Sequence, residues 1–221
     1  MRKIKFVNGQ YYHIYNRGAD KRQIFLSNDD YLRFVRSLYN FNDSNPVLLK
    51  DKIRERISGK PEARPREELV EINCFCLMPN HYHLILRQVV DKGVTEFVRK
   101  LNTGYTMYFN KKNQRTGVLF QGKFKARLVD STEYLLQLSR YIHLNPLSLA
   151  PSGYFKNGKV ANWEEAQAFL KKYRWSSYLD YLGIKNFPKI THREFLQDYF
   201  AEKKYEEFVK EWTPEDINLF F

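Results

Sequence analysis

The stretch INCFCLMPNHYHLILR, residues 72–87, contains two apolar runs separated by turn-forming residues. INCFCLM and HYHLILR have the length and the β-branched and aromatic content of strands. Pro79 and Asn80 between them favour a tight turn. This most apolar part of the chain therefore predicts two consecutive strands at the centre of the fold.

The neighbouring segments extend this pattern in both directions. On the N-terminal side, YYHIYN at 11–16 predicts a strand, and a helix capped by Ser27 or Asn28 follows it. On the C-terminal side, apolar residues at helical spacing over 93–113 predict a long helix, which is followed by a strand within 117–129. A last helix starts near Ser131 and stops at Asn145 and Pro146.

The resulting element order is β, α, charged insertion, β, β, α, β, α. It predicts an α+β fold of the ferredoxin-like split βαβ type, a mainly antiparallel sheet with helices on one face, plus a C-terminal helical extension. We predict a catalytic domain over 1–150, with the charged insertion at about 42–70. The C-terminal helical extension covers 151–221.

Composition restricts the function. The chain has 221 residues and a formal net charge of +12, which favours a polyanionic partner such as nucleic acid. A mean hydropathy of −0.61, with no apolar run near the roughly 18 residues that span a bilayer, argues against a membrane-embedded protein. We expect no secretory signal at the N-terminus, where Asn8, Gly9 and Gln10 interrupt any apolar run, and no disulfide framework from two cysteines one residue apart. We therefore expect a cytoplasmic protein.

Two short motifs contain the candidate chemistry. In His81-Tyr82-His83, the two imidazoles are two residues apart on a predicted strand, so they point to one side and can bind one cation. In Tyr141-Ile142-His143-Leu144-Asn145, the first and last residues share a helix face. A phenol with a pKa near 10 is a weak nucleophile, but a metal that polarises a phosphate lowers this requirement.

The combination of YHIYNRGADKRQIF (12–25), MPNHYHLIL (78–86), LFQGKFKARLV (119–129) and SRYIHLNP (139–146) resembles the single-tyrosine HUH transposases. The similarity is closest to the REP-associated tyrosine transposases and their insertion-sequence relatives. It implies that Tyr141 is the nucleophile and that His81 and His83 are metal ligands, with Asn145 as a third ligand through its amide.

The resemblance also implies an activity and its requirements. It implies a metal-dependent single-stranded DNA endonuclease and strand transferase that forms a 5′-phosphotyrosine intermediate at hairpin-flanked DNA. The expected cofactor is Mg²⁺ or Mn²⁺, the expected partner is single-stranded DNA with a hairpin, and the protein acts as a monomer or a homodimer.

Basic side chains near two of these motifs are candidate phosphate contacts. Arg17, Lys21 and Arg22 follow the first predicted strand. Lys123, Lys125 and Arg127 alternate with apolar residues along the last predicted strand. His143, which lies off the Tyr141 face, either contacts DNA or packs at the surface or in the core.

Three alternatives stay open at this stage. The first is a non-catalytic nucleic-acid-binding protein on the same fold. The second is a structural zinc site made from Cys74, Cys76, His81 and His83. The third is a hydrolytic phosphoesterase in which the histidines act as acid and base, which predicts a free 5′ phosphate and no protein adduct.

Overall fold

The computed structural model describes residues 4–45, 66–150, 155–156, 159–160, 162–194, 199–200 and 202–211. Most of the predicted charged insertion at about 42–70 lies outside the described residues. Among the described residues, no helix is long and apolar enough to cross a membrane.

Four antiparallel strands form the central sheet. They are β1 (Tyr11–Arg17), β2 (Val70–Met78), β3 (His81–Gln88) and β4 (Lys125–Val129), in the spatial order β2-β3-β1-β4. Met78 pairs directly with His81, so Pro79 and Asn80 alone make the β2–β3 turn. The predicted strand pair at residues 72–87 therefore lies at the middle and one edge of the sheet.

Two helices cover one face of this sheet. They are α1 (Asn28–Phe41) and α2 (Gly93–Lys112), which contact each other and bury Phe34, Phe97 and Tyr105 in a common core. Ser27 caps α1 in a capping box with Asp30. Because the sequential order β1-α1-β2-β3-α2-β4 returns each helix to the same side, the predicted ferredoxin-like α+β fold is confirmed.

A third helix, α3 (Thr132–Leu144), lies on the opposite face of the sheet and is followed by a 3₁₀ turn over Asn145–Leu149. Its apolar side chains pack with Cys74, Cys76 and Ile85. The expectation that helices cover one face thus holds for α1 and α2 only. The physical reason is that residues 72–78 are buried without alternation, so both sides of β2 need cover.

The chain beyond 150 contributes to the same core. It contains a short hairpin (Phe155–Lys156, Lys159–Val160) and the helices α4 (Trp163–Lys172), α5 (Tyr178–Tyr181) and α6 (Glu202–Lys210). A loop between α4 and α5 pairs with the outer edge of β2, where Leu77 N donates to Trp175 O at 2.9 Å and Ser177 N donates to Phe75 O at 3.0 Å. The division at residue 150 remains a prediction.

Candidate active site

His81 and His83 lie on β3 and point to the sheet face that α3 covers. Their ring centroids are 5.0 Å apart, with the rings nearly perpendicular. Tyr82, between them, points to the other face, where it is fully buried and its hydroxyl donates to Asn102 Oδ1 at 2.8 Å. The period of two along a strand therefore separates the candidate ligands from the core residue.

Tyr141 and Asn145 reach the histidine pair from α3. The edge of the Tyr141 ring contacts His83, at 5.9 Å between centroids. The Asn145 side chain lies close enough to act on the pKa of both, raising that of His81 and lowering that of Tyr141, and its Nδ2 donates to Tyr141 O at 2.9 Å. The structure thus brings together all four residues that the sequence singled out as nucleophile and ligands.

Three further residues border this cluster that sequence reasoning did not assign to it. His13 Nε2 lies 2.9 Å from His83 Nδ1, and the Tyr15 ring stacks on His83 at 5.7 Å. Asn80 Oδ1 accepts a hydrogen bond from His81 Nδ1 at 2.6 Å. The alternation of His13 and Tyr15 along β1 was visible in the sequence, but their neighbourhood with His83 follows from the pairing of β1 with β3.

Burial keeps the histidines of this cluster neutral at neutral pH. It lowers the pKa of His81 to about 4, with a further contribution from the Arg17 guanidinium, and the pKa of His13 to about 3. Burial also lowers the pKa of His83 well below its ordinary value. Because a neutral imidazole is the form that binds a metal, these rings are in a ligand-competent state.

The Tyr141 phenol has the opposite tendency. Burial raises the pKa of Tyr141, and the hydrogen bond from Asn145 partly offsets this effect. The hydroxyl is therefore protonated at neutral pH. It must lose its proton as it forms a bond to an electrophile.

Three of the six predicted DNA contacts lie on the same sheet face as the histidines. Arg17 pairs with His81, Lys125 with Tyr15 and Arg127 with His13, and residues directly opposite on neighbouring strands share a face. All three are exposed, and Arg127 also lies over the Tyr134 ring at 5.2 Å. These cations therefore border the cluster along β1 and β4.

The other three predicted contacts lie in loops. Lys21 and Arg22 belong to the turn after β1, and Lys123 to the turn before β4; all are exposed. The turn after β1 is held at the β2–β3 turn, since Gly18 N donates to Asn80 O at 2.8 Å. The structure thus puts Lys21 and Arg22 at the end of the sheet where β3 begins with His81.

The donor set at this cluster suits a divalent cation that keeps open coordination positions. Within the part of the chain that the structure describes, no group of three or more His, Cys, Asp or Glu residues is arranged to hold a metal. Two imidazoles and the Asn145 amide are the available donors. Such a set fits Mn²⁺ or Mg²⁺ with substrate or water in the remaining positions.

The alternative of a structural zinc site is not supported. Cys74 Sγ contacts His143 Nε2 at 3.3 Å and so faces the C-terminal core. Cys74, Cys76, His81 and His83 are all described and do not form a metal-holding group.

His143 is a core residue and not a DNA contact. It is fully buried, with Nδ1 2.6 Å from the Tyr205 hydroxyl and Nε2 2.7 Å from Ser177 Oγ. Burial lowers its pKa to about 3. The packing alternative for His143 is therefore the correct one.

Comparison with known proteins identifies the family of this chain. The profile of the IS200-like transposase family matches residues 35–145, a range that includes the histidine pair, Tyr141 and Asn145. The chain belongs to this family, which confirms the resemblance described above.

A solved structure shows the same fold. The REP-associated tyrosine transposase bound to a REP hairpin has 15% identity and a TM-score of 0.53, over 85% of this chain and 88% of that chain. A putative transposase from Deinococcus radiodurans R1 has 16% identity and a TM-score of 0.35, over 64% of this chain and 95% of that chain. No curated protein matches the chain.

Proposed function

We propose that this transposase-family protein is a metal-dependent single-stranded DNA endonuclease and strand transferase with Tyr141 as its nucleophile. The observation that supports this most directly is the contact of a helix tyrosine with a strand histidine pair, beside one amide. Asn145 Nδ2 donates to Tyr141 O at 2.9 Å, its side chain raises the pKa of His81, and the Tyr141 ring lies against His83. A nucleophile next to a metal donor set is what phosphoryl transfer by this route requires.

In this proposal, His81, His83 and Asn145 hold Mn²⁺ or Mg²⁺. Nitrogen ligands favour Mn²⁺ over Mg²⁺. When bound, the cation would withdraw charge from a non-bridging oxygen of the scissile phosphate and make the phosphorus more electrophilic. The neutral state of both imidazoles, caused by their burial, supports this assignment.

The protein side of the reaction is carried by Tyr141. Its hydroxyl oxygen attacks the phosphorus in line, the bond from phosphorus to the 3′ oxygen breaks, the phenol proton is lost to solvent, and the departing 3′ oxygen takes up a proton. The products are a 5′-phosphotyrosine linkage and a free 3′ hydroxyl. Because the covalent linkage conserves the phosphodiester, a 3′ hydroxyl of another strand can reverse the step, which is strand transfer.

The substrate we propose is single-stranded DNA flanked by a hairpin. The similarly folded REP-associated transposase was solved with a REP hairpin. The exposed cations on the histidine face, Arg17, Lys125 and Arg127, support a path for a DNA backbone beside the site. Lys21, Arg22 and Lys123 extend this path into the adjoining loops. The oligomeric state, monomer or homodimer, remains a prediction. So does the cytoplasmic location.

The direct test is a search for the covalent intermediate. The protein is incubated with a pool of single-stranded hairpin oligonucleotides and Mn²⁺ or Mg²⁺, and the products are separated on a denaturing gel. We expect a protein–DNA adduct that resists denaturation and disappears with a chelator. Cleavage without an adduct would favour the hydrolytic phosphoesterase, and binding without cleavage or adduct across the pool would favour the non-catalytic binding protein.

The proposed DNA path makes a separate prediction. Reversing charge in Lys123→Glu/Lys125→Glu is expected to weaken oligonucleotide binding and to reduce its salt dependence. Each phosphate contact with single-stranded DNA contributes a slope of about −0.7 in log K against log salt, so the double variant should lose roughly 1.4. Fluorescence anisotropy at several salt concentrations measures both quantities.

A matched variant separates this effect from net charge. Lys111→Glu/Lys185→Glu makes the same change in charge at exposed positions outside the four-stranded sheet, on α2 and after α5. It should keep most of the salt slope. Equal salt slopes for the two double variants would mean that Lys123 and Lys125 do not lie along the DNA path.

A further inference from the structure

Both candidate ligand histidines have the same ring nitrogen occupied by a protein hydrogen bond. His81 Nδ1 donates to Asn80 Oδ1 at 2.6 Å, and His83 Nδ1 lies 2.9 Å from His13 Nε2. A cation that binds either ring would therefore bind it through Nε2. The two partners come from different elements, the β2–β3 turn and the central strand β1.

The occupation of Nδ1 matters because a neutral histidine ligand binds the metal through one ring nitrogen and must carry its proton on the other. The protonated nitrogen normally donates to a protein group, which fixes both the tautomer and the orientation of the ring. A ring without such a partner can rotate and can carry its proton on the wrong nitrogen. The partners therefore affect metal affinity without touching the metal.

We propose that His13 and Asn80 are positioning residues that hold Nδ1 of His83 and His81 and so present both Nε2 atoms to the divalent cation. This inference rests on the proposed function, since it assumes that the two histidines bind a metal. It assigns a role to two residues that are neither nucleophile nor ligand.

The surroundings of His13 are suited to holding a neighbour in place. Its side chain is 2% exposed, and its ring packs against those of Tyr15 and His83, at 4.8 and 5.1 Å between centroids. It lies on β1, which pairs with β3 on one side and β4 on the other. A rigid buried strand position restricts the ring far more than a loop position does.

The contact between His13 and His83 permits two proton arrangements. In one, His13 Nε2 donates to His83 Nδ1, so a neutral His83 carries its proton on Nε2 and cannot bind a cation there. In the other, His83 Nδ1 donates to His13 Nε2, and the proton of His13 moves to its Nδ1. That atom is buried and has no hydrogen-bond partner among the described residues.

Metal binding at His83 Nε2 therefore selects the second arrangement. Each ring carries one proton in both arrangements, so the exchange between them releases no proton.

The first test is the affinity for Mn²⁺, measured from the signal of free Mn²⁺ in electron paramagnetic resonance. His13→Leu, which removes the partner, should bind Mn²⁺ about 10–100-fold more weakly than the unmodified protein, the usual effect of losing such a partner. His13→Gln, whose amide oxygen can replace Nε2 as acceptor, should restore most of the affinity. Asn80→Ala should weaken binding in the same way at His81.

Thermal unfolding of each metal-free variant separates positioning from stability. A purely structural role predicts a lower Tm with unchanged Mn²⁺ affinity in the folded fraction, and that result would overturn the proposal. His192→Gln removes a half-exposed histidine that pairs with Glu68 at 2.7 Å, and it should leave Mn²⁺ affinity unchanged. Equal losses in His192→Gln and His13→Leu would also contradict the proposal.

A second test needs no variant and so does not depend on folding. Long-range ¹H–¹⁵N correlation spectra report which nitrogen of each ring carries the proton. With saturating Mg²⁺, His83 and His81 should carry it on Nδ1; a proton on Nε2 of either ring would overturn the proposal. If the unmodified protein binds neither cation, the proposed function fails; if it binds them and His13→Leu binds equally well, only the positioning role fails.

Discussion

Replacing the nucleophile in Tyr141→Phe should abolish the covalent protein–DNA adduct and leave DNA binding intact. The substitution removes one hydroxyl and keeps the ring that packs against His83. Loss of a nucleophile lowers the rate by a factor on the order of 10³ or more, because binding and charge stabilisation remain but the covalent route is lost. The measurement is the amount of adduct on a denaturing gel beside the affinity for the same oligonucleotide.

The matched control is Tyr15→Phe, because Tyr15 is a second phenol at the same site. Its ring stacks on His83 at 5.7 Å, and it is half-buried like Tyr141. We expect this variant to form the adduct. An adduct that survives in Tyr141→Phe but disappears in Tyr15→Phe would transfer the role of nucleophile to β1.

The second large effect is expected from truncation after residue 150. The shortened chain should fail to form a cooperatively folded protein, although the family profile ends at residue 145. Residues beyond 150 bury four large aromatic side chains: Trp175 stacks on Tyr31 of α1, and Tyr178, Tyr181 and Tyr205 lie in the core with α3. Burying each large apolar side chain is worth roughly 1.5–3 kcal/mol, and the whole stability of a domain is about 5–15 kcal/mol.

Truncation also leaves polar groups without partners. His143 loses the hydroxyls of Tyr205 and Ser177, and the outer edge of β2 loses its pairing with the loop before α5. Buried donors and acceptors that lose their partners cost about 1–3 kcal/mol each. Urea unfolding followed by near-ultraviolet circular dichroism measures the result.

A cooperative transition for residues 1–150 alone would instead support the predicted division into a catalytic domain and a separate C-terminal extension.

Local periodicity accounts for how much of the site could be predicted. Side chains two residues apart on a strand point to the same face. This spacing placed His81 with His83 and put Tyr82 on the opposite face. Side chains four residues apart on a helix lie on the same face, and this spacing placed Tyr141 with Asn145. That the two motifs meet came from the family resemblance and not from spacing, since nothing local fixes how α3 crosses the sheet.

The sequence by itself determined the strands and helices, their order, and the two pairs of side chains that carry the chemistry. It did so because these depend on contacts between residues close in the chain. The tertiary structure decided that α3 lies on the opposite face from α1 and α2, and that His143 is held in the core by Tyr205 and Ser177. It also brought His13 to His83 across 70 residues, because strand pairing depends on the packing of the whole sheet and leaves no mark in the local pattern.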